Sequence, residues 1–165
     1  MNRTFIALTL ALGVVGGAAF AGAQDTTAAL NACASGYPDA EKIAAGYQAA
    51  GFEDMGAFSH GGQDIRMFRS ADSKTYAATR GAVETGIRCF IVEDKLSAKK
   101  ANGMADGLAT LMPGATEMPV PKGTGVDISK YIAGMYRDRM TMLVVMKGYE
   151  IPGKIKGAGL MVMTQ

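Results

Sequence analysis

Sulfur carries most of the chemistry this sequence could do. Met140-x-Met142 and Met161-x-Met163 each place two thioethers on one face of an extended segment, and Met146 falls on the same parity as the first pair. Thioethers are soft ligands that select Cu(I), so Met140, Met142, Met146, Met161 and Met163 are weak candidate metal ligands. Methionine is also a pliable core filler, and a half-buried strand gives the same alternation with no metal. The chain has twelve methionines but one histidine, and the core reading takes precedence.

Cys33 and Cys89 are the only cysteines. A nucleophilic thiolate needs a lowered pKa and partial exposure. Cys89 sits amid an apolar strand pattern, and the one available base, His60, lies beside two glycines. A disulfide between Cys33 and Cys89 is therefore expected. It closes a loop of about 55 residues and contributes about 4 kcal/mol on the chain-entropy account.

Other catalytic patterns fall short. Ser97-x-x-Lys100 has the form of a penicillin-binding nucleophile motif, but the S-D-N and K-T-G elements that accompany it do not occur. Glu53-Asp54 and Glu93-Asp94 are adjacent pairs whose side chains diverge in extended backbone. Gly157-x-Gly159 precedes a strand pattern, where a phosphate loop would follow one. With no tryptophan, a base- or sugar-stacking platform is not indicated. The sequence calls for no catalytic residue and no cofactor. A catalytic centre would have to assemble in three dimensions, for instance around His60, Arg66 and Arg88.

The elements that position these residues are read from period and punctuation. Asp25-Thr26-Thr27 is expected to cap a short helix carrying Leu30 and Cys33, broken at Gly36-Tyr37-Pro38. Asp39 caps a second helix ending at Gly51, with Ile43, Ala44, Tyr47 and Ala50 on its buried face. Phe52 to Gln63 reads as a glycine-rich link. Asp64–Arg69, Thr75–Arg80 and Val83–Glu93 read as strands, with Cys89 and Ile91 on one face and Arg88, Phe90 and Val92 on the other. A third helix between Asp94 and Pro113 carries a stripe of Ala101, Met104, Ala105, Leu108 and Met112. Residues 127–136 fit a helix and a strand equally. Met140–Lys147 and Gly159–Met163 are the closing strands. No internal repeat shows.

These elements predict an α+β fold over residues 24–165, with a single antiparallel sheet of five or six strands and two or three helices packed on one face. Residues 1–23 read as a cleavable signal peptide: Arg3, an apolar core from Phe5 to Val15, then Ala19-x-Ala21 and Ala21-x-Ala23 sites. That predicts export to a bacterial periplasm or medium, with no membrane span beyond residue 23, and an oxidising compartment for the cysteines.

Net charge is +2, far from the strongly basic balance of a nucleic-acid binder. From Met118 onward seven basic residues face three acidic ones. The expectation is an exported envelope protein that binds rather than catalyses. Its partner would be another envelope protein or an anionic envelope surface. The alternative is a methionine-based Cu(I) or redox-linked factor.

Overall fold

The computed structural model describes residues 21–60, 62–81, 86–123, 125–151 and 155–164, with the side chains of 21–24, 60, 151 and 164 excepted. Residues 1–23, read as a signal peptide, thus lie outside the described residues but for the backbone of the last three, and so does the start of the strand expected from Val83.

Among the described residues three helices, α1 (Ala21–Gly36), α2 (Ala40–Ala49) and α3 (Ala98–Ala109), accompany eight strands. The strands are β1 (Glu53–His60), β2 (Gln63–Arg69), β3 (Thr75–Arg80), β4 (Arg88–Glu93), β5 (Thr116–Glu117), β6 (Ile128–Tyr136), β7 (Arg139–Ile151) and β8 (Ile155–Thr164). They form one antiparallel sheet in the order β1-β2-β3-β4-β8-β7-β6-β5. The expected five or six strands are therefore corrected to eight, within an α+β fold.

Each added strand has a local cause. The region read as a glycine-rich link is β1, and Gly56 (φ 93) marks a bulge there, where pairing shifts register between Asp54 and Ala57. Residues 128–136 take the two-residue period, and Arg137-Asp138 turns directly into β7. Both turn residues are left-handed, at φ 48 and 61, as a type I′ hairpin requires. Two-residue β5 pairs with β6 at Thr116↔Ala133. Gly134 on β6 admits the approach to β5, since a Cβ there would lie 2.9 Å from Ala115 Cα.

The order of elements repeats. Helix α2 leads into β1–β4 and α3 into β5–β8, and the two sets lie mirrored in the sheet so that β4 meets β8 at its centre.

All three helices contribute to one core cluster, against Phe68, Ala77, Ile91, Leu160, Val145 and Ile132 of the sheet. Asp39 caps α2 by accepting from the Glu41 and Lys42 amides, and Ile43, Ala44 and Tyr47 are buried as expected, while Ala50 is exposed. Ser97 of the S-x-x-K match is the N-cap of α3, its hydroxyl accepting from the Lys100 amide. Gly103 and Gly107 face open space.

Helix α1 begins before Asp25, so the expected cap is corrected to a mid-helix position. Thr26 instead donates its hydroxyl to the buried Glu93 carboxylate. Seven residues on, Cys33 is bonded to Cys89 of β4, with a Cα–Cα separation of 6.2 Å. At the C-terminal end of α1, Arg137 donates to the carbonyls of Ser35 and Tyr37, which the helix leaves unpaired. Gly36 lets α2 close in, since a Cβ there would stand 2.6 Å from the Ile43 amide nitrogen.

Replacing both cysteines by alanine will lower unfolding free energy by about 2–5 kcal/mol. Urea unfolding of the oxidised, reduced and Cys33→Ala/Cys89→Ala proteins checks it. Coincident curves for all three would mean that the bond does not constrain the unfolded chain.

Candidate functional site

The strand registers align the sheet into rows, and parity assigns each row to a face. The helix side carries Thr79↔Cys89↔Val162↔Leu143↔Ile132 and Phe68↔Ala77↔Ile91↔Leu160↔Val145. The opposite side carries three rows that no described helix covers. The first runs Phe58↔Ile65↔Arg80↔Arg88↔Met163↔Met142↔Ala133↔Thr116 across all eight strands. The second is apolar up to the tyrosine that ends it: Met67↔Ala78↔Phe90↔Met161↔Val144↔Tyr131. The third runs Arg69↔Tyr76↔Val92↔Gly159↔Met146↔Ile128.

Part of this face closes on itself. Ile155 packs with Tyr76 and Val92 in a small second core cluster, flanked by Met67 and Phe90. The Phe90 ring and the Met146 methyl lie over Gly159, at 3.1 and 3.2 Å from where a Cβ would be. Tyr149, just past a register shift in β7, meets Phe90 edge-on at 4.7 Å between centroids.

The remainder is an open trough of about 500 Å³. Ala78, Phe90 and Met161 line it, with Phe58, Val126 and Tyr149, all at least 36 % exposed, among its borders. A contiguous group of exposed large apolar side chains is a feature that soluble surfaces seldom leave without a role.

Arg80 and Arg88 lie in the trough lining and directly oppose each other. Among the described residues neither has an ion-pair partner, whereas Arg69 pairs with Glu53 and Arg66 with Asp54 and Glu41. The Arg80 Nε is buried and has no hydrogen-bond acceptor among the described residues. Like charges directly opposite across strands are destabilising, so this pair stands out against its surroundings.

The five candidate methionines all project from this face. Met142 opposes Met163, and Tyr131 donates to the Met142 sulfur at 2.8 Å. Met146, Met161 and Met163 line a second hollow of about 230 Å³ with Val126 and Tyr131. Met140 stands apart, opposite Met135 near the β6–β7 turn and 46 % exposed, whereas Met146 is 3 % exposed. The five thus share a face but not one environment.

Other candidates separate. Arg66 projects to the helix side, opposite Thr79, while Arg88 projects to the open side, so the possible catalytic grouping of His60, Arg66 and Arg88 splits across the sheet. Arg66 is held in its ion pair, where its guanidinium and the Gly56 amide keep the Asp54 carboxyl below its ordinary pKa. In the C-terminal half, Lys130 meets Asp106 and Glu117, Lys147 meets Asp127, and Lys156 meets Glu150. Three of the seven basic residues from Met118 onward are thus locally paired. Beside the disulfide a slot of about 20 Å³, lined by Leu108 and Tyr136, admits about one water.

Sequence reasoning missed Arg80 and the trough. Alternation placed Arg88, Phe90 and Val92 together, but only the register sets Arg80 opposite Arg88. Comparison with protein-family profiles, curated proteins and solved structures finds no match.

Removing one of the opposed charges will stabilise the protein. Arg88→Gln is expected to raise unfolding free energy by roughly 0.2–1 kcal/mol at low ionic strength, and the gain will fade in high salt. Urea midpoints at two salt concentrations check it, and a midpoint that does not move at low salt would show that the charges do not oppose each other.

Proposed function

We propose that this protein is an exported, non-catalytic binding module whose ligand surface is the helix-free face of its sheet. The observation that carries the reading is the open apolar trough of about 500 Å³. Its size falls in the range of small-molecule sites, and its floor of Ala78, Phe90 and Met161 is built on sheet rows. Export is supported by the Cys33–Cys89 bond, which persists in oxidising compartments, and by the pattern of residues 1–23. No described helix is long and apolar enough to cross a membrane. The partner on this reading is a component of the bacterial envelope.

Nile red, an uncharged apolar dye, provides the test. The mature protein will bind it with a blue-shifted emission. Ala78→Trp will weaken that binding at least fivefold, because Ala78 lines the trough between Met67 and Phe90. Failure of the wild type to bind, or equal binding by a folded Ala78→Trp variant, would remove this reading.

A second reading, Cu(I) capture, is favoured by Met146, Met161 and Met163 lining one hollow. Thioethers suit that ion. Competition with a chromogenic Cu(I) chelator will then show one ion held per chain and lost in Met161→Leu/Met163→Leu. Retention of the metal by that variant, or no competition by the wild type, ends the copper reading.

A further inference from the structure

The helix-free face joins an apolar surface to a concentrated positive charge. We infer that the trough takes a single-chain amphiphile with an anionic head group, the head held between Arg80 and Arg88 and the tail laid over Ala78, Phe90 and Met161. This rests on the proposal that the helix-free face is the binding surface, and it names the chemistry of the occupant.

Three observations converge on an anion at that end. Arg80 and Arg88 are directly opposite in register, so their side chains share one face. Neither is neutralised by a described carboxylate, and the only acidic side chain among the described lining residues, Glu150, pairs with Lys156 at 3.6 Å. The Arg80 Nε is removed from solvent and finds no acceptor among the described residues. A buried donor of this kind is costly unless an acceptor completes it. Two guanidinium groups present planar forks that match the oxygens of a carboxylate or phosphate. One bound anion would relieve the like-charge contact and, with a change of the Arg80 rotamer, give its Nε an acceptor.

The tail follows from the next row. Two residues along the strands from the arginines, about 7 Å away, the sheet offers Ala78, Phe90 and Met161 with no polar side chain among them. Ala78 keeps the floor low between Met67 and Phe90. The exposed Phe58 and Tyr149 also line the trough. Apolar surface thus extends along the strand direction from the arginines, as a tail does from its head, while Phe58, Ile65 and Met163 flank them in their own row. A concave site of about 500 Å³ encloses one chain. The exposed Phe58, Val126 and Tyr149 border this concavity, and the occupant assigned to it is a free amphiphile whose tail they flank.

The experiment is displacement of Nile red from the mature protein at low salt, below micelle concentrations. The probes are decanoate, decyl phosphate, decanol and decyltrimethylammonium. Decanoate and decyl phosphate will bind at least tenfold tighter than decanol, and the cation more weakly than decanol. Octanoate will bind more weakly than decanoate, by about fourfold per methylene lost. Arg80→Gln/Arg88→Gln will bring decanoate to the level of decanol while Nile red still binds. Arg88→Gln alone, at an exposed position, gives a severalfold loss of decanoate affinity and guards against misfolding of the double variant.

Equal affinity for decanoate and decanol in the wild type overturns the head-group assignment and leaves the binding face intact. Absence of Nile red and decanol uptake overturns the binding face itself. Sedimentation with phosphatidylglycerol vesicles that decanoate does not compete would assign the face to a membrane. A concentration-dependent dimer that excludes Nile red would assign it to a second copy of the chain. Either result overturns the inference.

Discussion

Helix α1 is fastened to the central strand β4 at two points, and the two-sidedness of the molecule follows from that. Thr26 holds Glu93 and Cys33 is bonded to Cys89. The anchors are seven residues apart on the helix, about 10 Å at helical rise, and four apart on the strand, about 13 Å at strand rise. The spans nearly match, and they run in opposite chain directions. One anchor would let α1 pivot across the sheet; two fix it along β4. Glu93 makes the arrangement demanding, because a buried carboxyl needs the Thr26 donor to remain there.

With α1 fixed, α2 packs beside it through the contact that Gly36 allows, and Tyr47 reaches Phe68 at 4.9 Å between centroids. Helix α3 covers the β6–β7–β8 half of the same face. All the helices are thereby committed to one side of an eight-stranded sheet whose central strands are apolar on both. Val92 is as fully buried as Ile91 although the two point to opposite faces. The second side must then be closed by the protein's own hairpin or by something else. Ile155 closes the Tyr76–Val92 end. The end carrying Ala78, Phe90 and the two arginines stays open.

What the sequence made legible was what local pattern controls. The alternation through Arg88–Glu93, the Asp39 cap and the stripe on α3 each depend on neighbours a few residues away. The cysteine pairing was legible for a different reason, since two cysteines leave one partner choice. Strand β1 was hidden because Gly56 looks like loop punctuation and is a bulge. Strand β6 was hidden because Ile128, Ile132 and Met135 fit a helix as well as a strand. Its exit turn is Arg137-Asp138, which lacks the Asn-Gly signature that usually announces a type I′ hairpin. The opposition of Arg80 and Arg88 was not legible at all. Register is a non-local property, and a slip of one residue would have moved every side chain of β4 to the other face.

The methionines show how the two readings of a residue type can both miss its setting. Met140, Met142, Met161 and Met163 lie neither in the main core nor together in one cage. They occupy the face that the helices leave uncovered, with Met146 buried at its edge. A β-branched side chain there would fix the surface, because its χ1 is restricted. Methionine has three rotatable bonds and a polarisable sulfur, and such side chains reshape around an occupant at small cost. Beside them Phe90 is held by Tyr149 and by the floor at Gly159, and the arginines are fixed in register. The face therefore combines two arginines set opposite each other by register with an adaptable apolar surface. On the binding role proposed above, such a surface would discriminate by head group more sharply than by the shape of what lies behind it.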